Sequence, residues 1–273
     1  MVIPFGELVR GATTSAVAAV IALCAELVGA GPVAAADTSP PAYTFVDEFD
    51  GPAGSAPDPA RWTYDLGAGG WGNGELQTYT DSGRNSFLDG AGNLVVRATA
   101  TRAADGRIAY QSARLTTKGR FAQRYGHWEA RLKFVSARGY WPAWWTLGAD
   151  IDRVGWPRCG EIDMFEDYGF GARESSVHTG TTDADLASWS ASAPNDGRFH
   201  DVRMDWSPVG ITFALDGVPY GSVVFDPADP TRPADPGTAF MLLNVAVGGR
   251  VGAPDPAWTA PVDLVVDHVR VWS

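Results

Sequence analysis

The chain has 273 residues, 45% of them hydrophobic, and a net charge of −11 at neutral pH. That length holds one large domain or two small ones. The acidity weighs against nucleic acid, whose phosphates need clustered Lys and Arg, and against anionic membrane surfaces. Eleven tryptophans are more telling, because indole faces stack on the C–H-rich faces of sugar rings, although most tryptophans fill cores.

In chain order, the stretch from Ala16 to Ala36 is rich in Ala, Val, Ile and Leu, follows Arg10, and ends in Val33-Ala34-Ala35-Ala36. Such a run with a small-residue end reads as a secretory signal over residues 1–36, cut after Ala36, which places the mature protein outside the cell. Glu7 and Glu26 depart from that pattern. Glu26, Gly29 and Gly31 also interrupt the run before it reaches spanning length, so no membrane association is expected once the signal is cut. Cys24 would leave with the signal. Cys159 then stands alone, which excludes a structural disulfide in the mature chain and reads as a small buried hydrophobe. Residues 37–44, with Thr38-Ser39-Pro40-Pro41, read as a linker, and 45–273 as one domain without a break in composition.

Within that domain, short β-rich runs alternate with Gly, Pro, Asn and Asp turns. The clearest are Asn93–Ala98, Gly126–Phe134, Trp141–Leu147, Glu161–Glu166, Ser176–Thr179, His200–Trp206, Ile211–Leu215, Phe240–Val247 and Leu264–Trp272. Asp216-Gly217 is a tight hairpin signal. Segments 226–237 and 252–260 are too rich in Pro and Gly for strands. No repeat and no sustained helical period follows the signal. The pattern predicts an all-β sandwich of two antiparallel sheets.

Gly160-Glu161-Ile162-Asp163-Met164-Phe165-Glu166 carries the chemistry. On a regular strand Glu161 and Asp163 share a face and Glu166 points away. One extra residue, a β-bulge at Met164-Phe165, turns Glu166 back to its partners and leaves Ile162 and Phe165 facing a core. Three carboxyls on one face raise one another's pKa values, and glycoside hydrolysis needs one carboxylate ionised with another kept protonated. E-x-D on a solvated face would be the ordinary alternative, but Trp141-Pro142-Ala143-Trp144-Trp145 lies one connection upstream. Alternation puts Trp141 and Trp145 on one face as sugar-stacking plates and Trp144 on the other.

Gly160–Glu166 resembles the active-site strand of glycoside hydrolase family 16, in the bulged E-x-D-x-x-E form of laminarinase-type enzymes. Further stretches fit in order: Gly70–Thr80, Ser112-Ala113-Arg114-Leu115, Tyr125–Arg131, Trp141–Gly148, Asp216-Gly217, Leu243–Gly249 and Val266–Val271. The resemblance runs from about Phe45 onward. It implies a jelly-roll sandwich with a concave groove and hydrolysis that retains anomeric configuration, with Glu161 as nucleophile, Glu166 as general acid/base and Asp163 assisting between them. It also implies groove positions for Asn73, Glu75 and Arg114, and no cofactor for catalysis. A structural calcium is common in such proteins, and Glu48, the Gly92 carbonyl and Asp267 match its ligand places. His178 is expected near Glu166, and Asn244 is expected to project into the groove. His127, His200 and His268 read as structural. The expected substrate partner is a laminarin-like β-1,3-glucan, cleaved by a secreted monomer. The alternatives are another β-linked polysaccharide, such as β-1,3-galactan or mixed-linkage glucan, or a glucan-binding protein without turnover.

Overall fold

The computed structural model describes residues 41–169, 172–180, 186–192, 196–228 and 234–273. The signal read over 1–36 and the first part of the linker lie outside the described residues. The strands in chain order are β1 (Tyr43–Asp47), β2 (Thr63–Tyr64), β3 (Gln77–Tyr79), β4 (Ser86–Leu88), β5 (Leu94–Arg102) and β6 (Ile108–Ser112). Next come β7 (Arg114–Thr116), β8 (Gly126–Phe134), β9 (Tyr140–Gly148), β10 (Glu161–Asp167), β11 (Ala172–His178) and β12 (Leu186–Ser192). The last are β13 (His200–Ser207), β14 (Gly210–Leu215), β15 (Val218–Val224), β16 (Ala239–Val247) and β17 (Val262–Trp272). Helical structure among the described residues is confined to Ile151–Val154 and a 3₁₀ turn at Gly249–Val251.

These strands form two sheets. The larger runs β15-β14-β13-β8-β17-β5-β6-β3, with β1 on β17 and β4 on β5; the smaller runs β12-β11-β10-β9-β16-β7-β2. Pairing is antiparallel except for β3 on β6, which is parallel, a departure from the uniformly antiparallel expectation. β13 alternates buried and half-buried residues along its length, as a strand with one face on a core must. β16 is buried at every position and β9 at all but Trp145. Their two faces are covered differently, one by the sandwich interior and the other by groove side chains. The interior joins the sheets through residues such as Trp128, Leu132, Trp144, Phe165, Leu243 and Val266. Cys159 packs in a smaller cluster with Leu147, Phe240 and Leu242.

Strands with strong apolar alternation stand where the sequence puts them, and Gly126–Phe134 matches residue for residue. Asp216 and Gly217 take φ of 50° and 76°, the pair of left-handed residues that a two-residue hairpin turn requires. Several boundaries move, among them the end of β5, which runs on to Arg102, and the starts of β1 and β11. β1 opens at Tyr43, inside the span read as linker, because it adds to the end of β17. β11 begins at Ala172 rather than Ser176, because the polar Arg173 and Glu174 hide a strand that pairs with β10 over Asp167 and Glu166.

Trp144 is fully buried on the interior face of β9, so truncating it removes a large ring from packed surroundings. We predict that Trp144→Ala lowers stability by about 3–5 kcal/mol, read as a fall in Tm of about 6–20 °C. A loss below about 1 kcal/mol in thermal or urea unfolding would contradict this placement.

Candidate active site

The register of β10 shows the extra residue directly. Asp163 and Glu166, three positions apart, lie opposite Trp145 and Ala143 on β9 and opposite Ser176 and Glu174 on β11. Both neighbours span the same stretch in two steps, so β10 holds one residue more than either. Ile162, Met164 and Phe165 consequently all sit in the interior, fully or almost fully buried. Glu161, Asp163 and Glu166 all line one cleft on the opposite face.

Each carboxyl has defined partners. Glu166 accepts from the Trp141 indole at Oε1 (2.8 Å) and from the Tyr168 hydroxyl at Oε2 (2.8 Å). Asp163 Oδ2 accepts from Ser176 Oγ (2.6 Å) and lies 3.3 Å from His178 Nε2. The same His178 nitrogen is 3.9 Å from Glu161 Oε1. Burial is the chief force on Glu161, and with the charges of Asp163 and Glu166 it pushes that carboxyl well above its usual range, against the Trp156 indole and Arg114. Glu166 is also pushed well up, first by burial and then by the Asp163 charge, against Tyr168, Trp141 and Arg250. The cluster therefore holds on to protons that isolated carboxyls would release. It can supply both an ionised and a protonated carboxyl side by side.

The predicted groove residues assemble around this cluster. Trp141 and Trp145 face the cleft, whereas Trp144 faces the interior. Trp145 donates its indole N–H to Asn244 Oδ1 (2.7 Å), and Asn244 in turn donates to the Tyr79 hydroxyl (3.1 Å). Asn73 donates to Glu75 Oε1 (3.1 Å), and Gln77 holds the other Glu75 oxygen at 2.5 Å. Arg114 pairs with Asp65 (3.0 Å) and lies between the rings of Trp71 and Trp145, 4.9 and 4.7 Å from their centroids. His178, expected near Glu166, stands opposite Glu161 in the β10–β11 ladder, and its Nε2 approaches Asp163 and Glu161 because antiparallel pairing sets the end of β11 against the start of β10.

Sequence reading missed Trp71, Trp156, Tyr168 and Arg250, all of which line the cleft. Trp156 and Arg250 lie outside the strands, where alternation gives no guide to direction. Tyr168, two residues beyond Glu166, carried the clearest available signal. The three histidines read as structural each have acidic partners: His127 with Asp205 (2.5 Å), His200 with Asp216 (2.7 Å) and His268 with Asp267 (2.7 Å).

The calcium ligand set is only partly available. The Glu48 carboxylate is held by both arms of Arg270 at 2.8 Å, and Asp267 Oδ1 is bonded to His268 Nδ1. The Glu48 carbonyl does approach Gly92, 4.0 Å from where a β-carbon would sit, beside Asp50 Oδ1 at 3.8 Å. Oxygen donors of the hard-cation kind are thus present, but the Glu48 side chain is committed to an ion pair.

A two-sheet sandwich with a trough lined by carboxyls and walled by indoles has the build of a glycoside hydrolase. Residues 75–246 match the model for glycosyl hydrolases family 16, and the chain belongs to that family. It is 37% identical over 246 residues to a β-glucanase of Rhodothermus marinus, covering 83% of each chain. It is 31% identical to a glucan endo-1,3-β-glucosidase of Cryptopygus antarcticus, covering 83% of this chain and 90% of the other. Among solved structures, the laminarinase of Rhodothermus marinus superposes with a TM-score of 0.76 at 35% identity, covering 84% and 96% of the two chains. The laminarinase catalytic domain of Thermotoga maritima gives 0.75 at 33% identity, covering 85% and 98%.

The raised carboxyls make a prediction about stability. A group whose folded pKa lies above its unfolded value adds stability below the unfolded pKa, and that contribution is lost as pH rises through the folded value. Glu161→Gln, which cannot ionise, should therefore melt higher than the native chain at pH 7 and alike near pH 4. An equal Tm for the two chains at pH 7 would contradict the electrostatic account.

Proposed function

We propose that the protein is an endo-acting, retaining β-1,3-glucanase. The single observation that carries the mechanism is the bulge that brings Glu161, Asp163 and Glu166 to one face of β10. In the proposed first step, protonated Glu166 gives its proton to the glycosidic oxygen while the Glu161 carboxylate attacks the anomeric carbon. The bond from that carbon to the leaving oxygen breaks as an ester to Glu161 forms. In the second step the Glu166 carboxylate takes a proton from water, the water oxygen attacks the same carbon, and Glu161 is released. Retention requires the two carboxyls to work across a gap of roughly 5–5.5 Å. Asp163, seated between them in sequence and held by Ser176 and His178, keeps Glu166 protonated by its charge and limits where Glu161 can turn.

The substrate assignment draws on the names borne by relatives. Two of them are called glucan endo-1,3-β-glucosidases. Others are called an endo-1,3-1,4-β-glycanase and a keratan-sulfate endo-1,4-β-galactosidase. A sulfated chain would favour a basic groove, and a net charge of −11 offers the opposite field. A β-1,3-glucan-binding protein of Penaeus monodon is also similar, at 28% identity. A binder without turnover has no need of three mutually repelling carboxyls in its groove, and this chain keeps them.

On the same reading Trp141, Trp145, Asn73, Glu75, Arg114 and Asn244 hold the sugar chain, while His178 positions Asp163 and Glu161. The enzyme acts as a monomer outside the cell, delivered by the signal over residues 1–36. Glycanases of this family need no cofactor for catalysis, and every proton in the proposed cycle moves between Glu166, the leaving oxygen and water. A cation near Gly92 would serve only the fold.

Product analysis on laminarin, lichenan and β-1,3-galactan tests the reading, with Glu161→Gln as the blank. We expect oligosaccharides from laminarin, a loss of at least about 10⁴-fold in the blank, and a β-anomer as the first product seen by proton NMR. Glu166→Gln should lose about 10²–10⁴-fold. An α-anomer as first product, or a fully active blank, would overturn the mechanism. Laminarin retained without release of reducing ends would mark a binding protein.

A further inference from the structure

The bulge has a polar fastening on its interior side. Met164 has no partner residue in the register of either β9 or β11, and it is fully buried. A buried carbonyl left out of a ladder costs about 1–3 kcal/mol unless another donor reaches it. Ser175 supplies that donor: its hydroxyl donates to the Met164 carbonyl at 2.8 Å. Ser175 lies on β11 between Ser176 and Glu174, the residues facing Asp163 and Glu166 across the bulge. It is fully buried as well.

The Ser175 oxygen also meets the hydroxyl of Tyr220, which belongs to β15 in the larger sheet. Hydroxyl accounting fixes the direction of this chain. A carbonyl only accepts, so Ser175 spends its single proton on Met164, and Tyr220 must donate to Ser175. Linked donors of this kind polarise and strengthen one another. Tyr220 is itself packed against Phe213, with ring centroids 6.4 Å apart. The extra residue in the catalytic strand is thus tied across the sandwich to the opposite sheet.

We propose that Ser175 and Tyr220 are positioning residues that hold the Met164 bulge in place and thereby keep Glu166 in the cleft beside Asp163. Neither side chain touches the cleft. The fastening opposes a real tendency, since the bulge forces Glu166 into repulsion with its neighbours, and a looser strand would let the carboxyl turn toward water. The raised pKa of Glu166, caused by burial and the Asp163 charge, reports on whether that position is kept. This inference extends the enzymatic reading above, but its main readout needs no substrate.

The test is a carbon-13 NMR titration of glutamate carboxyls in the full chain, with the Glu166 signal assigned by Glu166→Gln. In the native protein Glu166 titrates well above the ordinary carboxylate range. In Ser175→Ala it should move down toward that range, and Ser175→Thr, which keeps a hydroxyl, should restore it. On laminarin, Ser175→Ala should lower kcat about tenfold with KM little changed, the pattern of a slightly misplaced reacting group. Tyr220→Phe leaves Ser175 its bond to Met164 and should give a smaller shift in the same direction. An unchanged Glu166 titration in Ser175→Ala, or Ser175→Thr behaving like alanine, would overturn the proposal. If Ser175→Ala does not fold, Tyr220→Phe decides, and a native titration there would overturn it. Loss of activity on every glycan by the native chain, with the titration behaving as stated, would instead count against the substrate reading.

Discussion

Repulsion among three carboxyls, two buried and one half-buried, is the constraint around which the smaller sheet is organised. A strand with regular alternation would relieve it by sending Glu166 to the other face. The bulge removes that escape, and the surrounding residues then have to stabilise what results. They do so with directed donors, to which His178 adds a positive charge beside Asp163 when it is protonated. Trp141 and Tyr168 each take one oxygen of Glu166, and Ser176 and His178 take Asp163. Donors of this kind hold carboxyls in place without fixing their protonation state, because a neutral acid still accepts at its free lone pairs. Full salt bridges would have pinned the carboxyls as anions. The cationic side chains in the cleft are accordingly set back. Arg114 is engaged by Asp65 and two indoles, and Arg250 lies over Tyr168 with 5.6 Å to the ring centroid.

Aromatic side chains serve twice in this site. Trp141 offers a ring to the cleft and its N–H to Glu166, and Trp145 offers a ring to the cleft and its N–H to Asn244. Binding surface and orientation of the polar groups are thereby coupled within single residues. Moving either ring also disturbs the group it donates to. β9 can carry both duties because it is central: β10 and β16 flank it, and its opposite face, through Trp144, is locked into the interior.

Much of this was legible in the sequence because period-two alternation is a strong signal in long, half-buried strands. β8, β13 and β17 show it, and their residues fall where the pattern puts them. The acidic strand was legible for a different reason. Its charges could share one face only if alternation failed once, and Met164-Phe165 offered the place. Short strands such as β2, β3 and β7 were not legible, because two or three residues carry no period and are held by partners distant in sequence. The polar strand β12 was missed for want of apolar contrast. Within the site, direction could be inferred on strands but not on loops, so Trp141 and Trp145 were found while Trp156 and Arg250 were not. His178 was found, but its place opposite Glu161 was not legible, since the register between β10 and β11 depends on long-range pairing. The Ser175–Met164 fastening had no signal at all. It arises only where a bulge, its neighbour strand and the opposite sheet meet.

The central claim is that one surplus residue in β10 sets Glu161 and Glu166 to work on the same sugar. The most direct measurement is a crystal structure of the enzyme trapped with an activated 2-deoxy-2-fluoro-glucoside, which slows release of the glycosyl ester. The account predicts the anomeric carbon bonded to a Glu161 oxygen, with the Glu166 carboxyl on the cleft side at roughly 5–5.5 Å from that of Glu161. A sugar bonded to any other side chain, or Glu166 turned into the sandwich interior, would contradict it.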